Sequence, residues 1–313
     1  MRPRWFAVLV VAMLLAGVVL TRLGLNQYYY FAAYVVLQYV VLATAWNILG
    51  GYTGYVNFGS AGFFALGAYT SVVLIKSVGA PFVVLIATAG LVAGLLGLGI
   101  GYLTLRLRGV FFSIATLALA VVLETIVINS DYVGGARGIT ISRPARALFF
   151  GSYVEFLFAV MLLLALLAVG VAWWIETSWV GRGLAAIRDN EEAAECMGVP
   201  TLRLKLLATT VSGALMGIAG APFPYYVTFV DPLSAFDLNY AVNSLAMPMV
   251  GGTTTWIGPV IGAILLGTAQ QVATVTISSA LNLLIVGIIL VLFVIGAPEG
   301  IVGLVQRIRG ARA

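Results

Sequence analysis

Long apolar runs, separated by short polar or glycine-rich stretches, dominate the chain. Charged residues, Gly and Pro mark the ends of these runs, and most runs reach the ~20 residues that one helix needs to cross a bilayer. The eighth run is shorter and contains Pro248. It predicts a broken or tilted helix that neighbouring helices shield from lipid. We predict ten spans, near residues 5–23, 28–49, 53–76, 82–105, 109–129, 153–175, 203–222, 239–252, 257–275 and 280–297.

Glycine recurs at helical spacing inside several runs. The pairs Gly90/Gly94, Gly97/Gly101 and Gly213/Gly217 each put two small residues on one helix face. Such faces let helix backbones approach closely, which is the usual way that membrane helices pack. The dipeptides 50–51 and 251–252 instead read as turns, each ending one span and opening the next.

The composition argues for an all-α integral membrane protein with one transmembrane domain over residues 1–313. Hydrophobic residues make up 62% of the chain and charged residues 9%, whereas a soluble domain carries about 25% charged residues. The chain has no His and one Cys, so we expect no metal site. We also expect this chain to bind no cofactor.

Arg and Lys predict the orientation. With a cytoplasmic N-terminus, most of the 16 Lys and Arg residues fall on the inner side, as the positive-inside rule requires. Both termini are then cytoplasmic in a plasma or inner membrane, with an outer loop near 130–152 and an inner loop near 176–202. This placement accounts for the net charge of +5 without a nucleic-acid partner. The residues predicted outside are Arg22, Lys76, Arg137, Arg143 and Arg146.

The first apolar run leaves one alternative open. It follows Arg2 and Arg4 and could be a cleaved signal peptide. No clear Ala-x-Ala site follows it, which favours an uncleaved first helix.

The inner loop carries signals for both ends of a helix of about two turns. Asp189 and Glu192 have the spacing of a capping box, with Asp189 as the cap. Glu191 and Glu192 then lie in the first turn, where the helix dipole favours anions. Gly198 can end the helix in a left-handed conformation.

This short helix has the charge of a protein contact. A linker lying on lipid headgroups would favour Lys and Arg on its polar face. Here the helix carries Asp189, Glu191, Glu192 and Glu195, which anionic headgroups repel. We therefore predict that it binds a soluble partner protein.

The segment 181–205 resembles the cytoplasmic coupling loop of the branched-chain amino acid ABC transporter permeases, the LivM type. Stretches across almost the whole chain agree with that family. These are residues 47–69, with Gly50, Gly54, Gly59 and the ending Gly67-Ala68-Tyr69; 108–112 with 116–118; 134–138; and Pro232 with Phe236, then 251–252 and 258–263.

The resemblance implies the permease subunit of an ABC importer for leucine, isoleucine, valine or a related hydrophobic solute. The implied partners are a second homologous permease, two cytoplasmic ATPases and an extracytoplasmic binding protein. The implied ATPase-coupling residues are Gly181, Arg182, Arg188, Asp189, Asn190, Glu191, Glu192, Ala193, Ala194, Met197 and Gly198.

Independently of the resemblance, neither lysine of the chain can complete a P-loop. That motif needs Gly before its Lys, but Lys76 follows Ile75 and Lys205 follows Leu204. We therefore expect ATP hydrolysis on separate chains and no enzyme activity here.

Polar residues in or beside the predicted spans are candidates for the translocation path. Such residues either line a path or bond neighbouring helices to one another. Ion-coupled transport usually needs carboxylates or His deep in the membrane, and only Glu124 lies well inside a span. A secondary transporter or channel is the alternative function, and this shortage of ionisable residues within the spans counts against it. The candidates are Asn57, Ser60, Thr116, Glu124 and Asn243.

Overall fold

The computed structural model describes residues 26–104, 107, 109–143, 152–276 and 300–310, with isolated positions within 11–13 and 284–296. Over these residues the chain is almost entirely helical, as the all-α prediction requires. The predicted spans 5–23 and 280–297 lie outside the described residues, apart from the isolated positions.

The long helices coincide with the long apolar runs of the sequence, and the short elements lie between them. Two short strands, β1 (Ile139–Thr140) and β2 (Phe229–Val230), pair antiparallel, and two turns of 3-10 helix span Asp131–Val133 and Gly135–Arg137. The α-helices are α1 (Gln27–Thr53), α2 (Ser60–Val78), α3 (Phe82–Thr104), α4 (Val110–Ile128), α5 (Tyr153–Thr177), α6 (Trp179–Asp189), α7 (Glu191–Cys196), α8 (Thr201–Gly220), α9 (Phe223–Val227), α10 (Pro232–Ala235), α11 (Leu238–Gly251), α12 (Ile257–Thr276) and α13 (Gly300–Gly310).

Among the described residues, 7 helical stretches are long and apolar enough to cross a membrane. They are α1 to α5, α12 and the stretch Thr201–Val227, which joins α8 to α9. Each coincides with one predicted span, so these spans are confirmed as helices of the required length.

The predicted boundary between the second and third spans is wrong. The sequence places a turn at Gly50 and Gly51, but α1 continues to Thr53 and ends at Gly54, whose φ of 78° is left-handed. Residues 54–59 then form the loop before α2. Gly51 stays helical in a crowded place, where an added Cβ would lie 2.6 Å from the carbonyl oxygen of Thr253.

The eighth span is short, as predicted. Helix α11 has 14 residues with Pro248 inside it, and 14 residues span about 21 Å where a bilayer core measures about 30 Å. The chain reaches α11 through the short elements α9, β2 and α10. Val230, Pro232 and Ala235 within this stretch are buried in protein, which is where irregular backbone is tolerated in a membrane.

The predicted glycine faces meet at the contact between α3 and α8. Gly90 and Gly94 of α3 lie against Ile218 and Ala214 of α8, respectively. In return, a Cβ at Gly217 of α8 would collide with Ala93 of α3. The close packing predicted from the glycine spacing is confirmed for this pair of helices.

The loops gather at two ends of the bundle. The first, which we call the Lys205 end, holds the loop 54–59, Gly109, the segment 178–200 and the turn 252–256. The second, the Arg143 end, holds residues 129–143 and 228–237. Successive loops are expected at opposite ends of the bundle, because consecutive spans run in opposite directions, and this is the division observed.

The outer loop predicted near 130–152 is ordered over 130–143. Strand β1 pairs with β2, and Arg143 donates from Nε to the carbonyl of Tyr225 at 2.9 Å and from Nη2 to that of Tyr226 at 2.7 Å. Lys76 donates to the carbonyl of Tyr132 at 2.6 Å. The loop is therefore anchored to the end of the bundle; residues 144–151 lie outside the described part.

Candidate coupling surface and buried polar residues

The inner loop predicted near 176–202 is mostly helical: α7 corresponds to the predicted helix of about two turns, and α6 is an additional helix before it. Helix α5 ends at Thr177, and α6 begins directly after Ser178. Val180, Leu184 and Ile187 of α6 are buried on one face, at the spacing of an amphipathic helix. We call residues 178–198, which comprise α6, α7 and their flanking residues, the coupling segment.

A sharp break separates α6 from α7 at Asn190, which has extended backbone angles. Its side-chain oxygen accepts from the backbone N–H of Ala193 at 3.0 Å, so Asn190 is the N-cap of α7. The prediction that Asp189 is the cap is wrong by one residue, because Asp189 is the last residue of α6. Glu191 and Glu192 do lie in the first turn, as predicted.

The far end of α7 follows the prediction. Gly198 has a φ of 83°, which side chains other than glycine rarely adopt. Its N–H donates to the carbonyl of Glu195 at 2.9 Å, and the N–H of Val199 donates to that of Ala194 at 3.0 Å. These bonds satisfy carbonyls at the end of the helix and turn the chain toward α8.

The predicted coupling residues divide into an exposed set and an inward set. Gly181 and Ala194 are buried, and Glu191 is half-buried. Met197 is 84% exposed, so its apolar side chain is accessible to a partner. The exposed members are Arg182, Arg188, Asp189, Asn190, Glu192, Ala193, Met197 and Gly198.

A buried charged cluster joins the coupling segment to the bundle. Lys205 Nζ lies 2.6 Å from Glu191 Oε1 and 3.2 Å from the hydroxyl of Tyr55. The Tyr55 hydroxyl in turn donates to Glu191 Oε2 at 2.6 Å. The side chains of Lys205 and Glu191 are 4% and 14% exposed, so water screens their attraction only weakly. We call these three residues the Lys205 triad.

Asn57 and Thr116 satisfy the backbone of the loop 54–59. Asn57 Oδ1 accepts from the N–H of Gly59 at 2.7 Å, and Thr116 Oγ1 accepts from the N–H of Phe58 at 3.1 Å. Ser113 of α4 donates to the carbonyl of Val56 at 2.9 Å. A non-helical segment buried among helices needs such partners. Path lining by Asn57 and Thr116 stays a prediction.

The other three candidates for the path lie in different surroundings. Ser60 is fully buried at the start of α2. Asn243 accepts from Gln270 of α12 at 2.8 Å and donates to Tyr39 of α1 at 3.2 Å. Glu124 is half-buried on α4, about 12 Å along the helix from Thr116. The structure therefore brings Asn57 and Thr116 together but gives Asn243 and Glu124 separate positions.

Glu176 and the Lys205 triad show what sequence reasoning missed. Glu176, at the end of α5, accepts from the backbone N–H of Trp256 and from the hydroxyl of Tyr52, the latter at 3.4 Å. It thus joins three parts of the Lys205 end. The sequence offered one signal for each: Glu176 is a single acid at the edge of an apolar run, and Lys205 is a lysine two residues inside a predicted span.

A cavity of about 340 Å³ opens between the coupling segment and the loop 54–59. Its wall is polar where Tyr55, Arg188 and Glu191 contribute. Within the described residues, no group of His, Cys, Asp or Glu could hold a metal ion. The lining residues are Thr53, Gly54, Tyr55, Gly109, Ile187, Arg188, Asn190, Glu191 and Glu192.

The fold of this helical bundle, with its exposed helical segment between two spans, also occurs in a solved structure. A solved ABC transporter of the metal-chelate type, in an inward-facing conformation, shares it with a TM-score of 0.50. The likeness covers 94% of this chain and 98% of that one, at 16% sequence identity, and it shows the fold alone.

The chain belongs to the family described as "Branched-chain amino acid transport system / permease component", which matches residues 28–294. It is 31% identical over 288 residues to the high-affinity branched-chain amino acid permease LivM of Escherichia coli K12, covering 84% of this chain and 67% of the relative. It is therefore a multi-pass membrane permease of an ABC importer.

Two further relatives show how far the similarity extends. The high-affinity branched-chain amino acid permease LivH of Salmonella typhimurium is 21% identical over 288 residues, or 85% of this chain and 91% of that one. The autoinducer 2 import permease LsrC of Yersinia pseudotuberculosis is 28% identical over 181 residues, or 56% of this chain and 50% of that one. Relatives similar in sequence thus carry names that refer to different solutes.

Proposed function

We propose that this chain forms the membrane path of an importer for leucine, isoleucine, valine or a related hydrophobic amino acid. The substrate class is supported by the names of the LivM and LivH relatives, which cover most of the chain. The LsrC relative, which covers about half of it, names a different solute. A hydrophobic amino acid is therefore the first substrate to test.

The coupling segment is the proposed contact with cytoplasmic ATPase subunits. The observation that carries this assignment is the exposed tip of the segment, by which we mean the exposed residues Glu192, Met197 and Gly198. Two rigid helices held by a buried face and a buried ion pair can transmit a push, whereas a flexible linker would absorb it. The Lys205 end is then cytoplasmic, and the Arg143 end faces outward.

The proposed assembly contains four kinds of subunit. This chain pairs with a second homologous permease, and the path runs between the two. Two ATPases dock on the coupling segments, and ATP is used there because neither lysine of this chain completes a P-loop. An extracytoplasmic binding protein delivers the solute to the Arg143 end.

Reconstitution tests this function directly. Proteoliposomes that contain the chain with its co-purified subunits, enclosed ATP and external binding protein should accumulate leucine, and omission of ATP or of the ATPases should abolish uptake. The purified chain alone should neither bind nor hydrolyse ATP. Uptake by this chain alone, driven by a proton or sodium gradient, would contradict the proposal and favour a secondary transporter.

A further inference from the structure

Helix α7 lies mostly at the surface of the protein. Ala194 is the one buried residue within α7, all of which is described. Glu195 accepts from the hydroxyl of Thr201 at 2.6 Å, which ties α7 only to the first residue of α8. Glu191 attaches α7 to the interior through Lys205 and Tyr55.

Tyr55 carries this attachment away from α7 and into the membrane bundle. It lies in the loop 54–59, and its ring contacts that of Phe112 of α4 edge-on, with centroids 5.2 Å apart. The same loop is bonded to α4 through Ser113 and Thr116. An unbroken series of bonds and ring contacts therefore runs from Glu191 to Phe112, Ser113 and Thr116, which lie within little more than one turn of α4.

The opposite charges of Lys205 and Glu191 favour a fixed geometry of the triad. Lys205 Nζ lies 4.8 Å from the centre of the Tyr55 ring as well as against the carboxylate of Glu191. A buried ammonium and carboxylate are costly to separate, because each would lose its partner without gaining water. Displacement of α7 should therefore move Tyr55 with it rather than break the pair.

We infer that the Lys205 triad transmits the movement of α7 to the loop 54–59, and through that loop to α4. Lys205 and Tyr55 are then positioning residues for transport, although neither lies on the exposed tip of the coupling segment. The inference rests on the proposed function, because it assigns an internal route to a stroke that the ATPases supply. It goes beyond that function by separating residues that bind the ATPase from residues that pass its movement on.

The test measures coupling apart from docking. The variants are Glu191→Gln, Tyr55→Phe and the double variant Lys205→Met with Glu191→Gln, each in the full assembly in proteoliposomes. The readouts are leucine taken up per ATP hydrolysed, and capture of the ATPase subunits that co-purify with the unaltered chain. Arg203→Met, an exposed cation on the same helix turn, and Tyr29→Phe, an exposed tyrosine at the Arg143 end, are the matched controls.

We expect leucine uptake per ATP to fall about tenfold in Glu191→Gln and Tyr55→Phe, the effect of a coupling free energy within the usual range for contacting residues. Capture of the ATPases should stay within about twofold of the unaltered chain. The double variant should lower leucine uptake per ATP no further than Glu191→Gln alone does, because both substitutions interrupt the same route. The two controls should behave as the unaltered chain does.

Two results would overturn the inference. Unchanged uptake per ATP in all three variants would make the triad a static anchor. A loss of ATPase capture in parallel with uptake would make it part of the docking surface. Tyr55→Phe keeps the ring and removes only a hydroxyl, so it stays informative if the buried-charge variants fail to fold. Failure of the unaltered chain to capture ATPases would instead contradict the proposed function.

Discussion

Asp189 and Asn190 are adjacent residues of similar capping strength, and the fold uses Asn190 as the N-cap of α7. Both types are favoured N-caps, and both precede a run that can form a helix. The choice depends on where α6 ends, and α6 reaches Asp189 because Ile187 is buried against the bundle. A local pattern therefore predicts that a helix starts near 190, while tertiary packing decides the residue.

Replacing Asn190 should loosen α7 more than replacing its neighbour. Asn190→Ala removes the acceptor for the N–H of Ala193, a loss of about 1 kcal/mol for a cap. Hydrogen exchange of the amides of α7 should then quicken by roughly fivefold. Asp189→Ala is the control, because Asp189 makes only an exposed pair with Arg188 at 3.5 Å, which contributes little. Equal effects of the two variants would contradict the assignment of the cap.

At the scale of single residues, the contacts within the Lys205 triad could not be predicted from the sequence. Glu191 and Gly198 are indicated by the helix signals around them, but Tyr55 lies 150 residues from Lys205 along the chain. The apolar pattern indicates that Lys205 enters a span, where a charge needs a partner. It does not indicate which of the acids of the chain supplies that partner.

At the scale of helices, the contact between α3 and α8 depends on residues without side chains. Gly213 and Gly217 of α8 lie against the backbone of Ala93 and Ala89 of α3. Membrane helices gain no hydrophobic driving force from association, so close van der Waals packing carries much of the stability. The glycine spacing in the sequence predicts a packing face on each helix. It does not predict which two faces pack together, because any two faces of this kind could form the contact.

A methyl group at this contact should destabilise the bundle. Gly217→Ala places a Cβ against Ala93 and the carbonyl of Ala89, and overpacking of this kind costs about 1–3 kcal/mol. The melting temperature of the purified chain in detergent should fall accordingly. Gly99→Ala is the control, because nothing lies within 4 Å of an added Cβ there and Ala is a better helix former than Gly. A melting temperature for Gly217→Ala at or above that of Gly99→Ala would contradict the close contact.

At the scale of the whole molecule, the apolar pattern predicts most of the architecture. Seven spans and the short eighth helix follow from runs of apolar residues, because the bilayer leaves few other folds for such a composition. The turn at Gly50 and Gly51 is misplaced because glycine marks both turns and close helix contacts. The bend within the coupling segment and the anchoring of β1 on β2 depend on contacts between distant segments, which periodicity does not encode.

The orientation of the bundle can be read from the single cysteine of the chain. Cys196 is exposed in α7 at the Lys205 end, which the excess of Arg and Lys predicts to be cytoplasmic. A membrane-impermeant maleimide should therefore label the unaltered chain in inside-out vesicles and leave it unlabelled in intact cells. The variant Cys196→Ser should stay unlabelled in both preparations, because the sequence has no other cysteine.

A second reporter at the opposite end makes the orientation test decisive. Leu233, which is 74% exposed in α10 at the Arg143 end, can be replaced as Leu233→Cys in the Cys196→Ser background. This variant should be labelled in intact cells, the reverse of the result for the native cysteine, because the two positions lie on opposite sides of the bilayer. If Cys196 is labelled from outside and Leu233→Cys only in inside-out vesicles, the coupling segment faces away from any cytoplasmic ATPase. That result would remove the physical basis for assigning α6 and α7 to ATP-driven transport, whatever the similarity of the chain to other permeases.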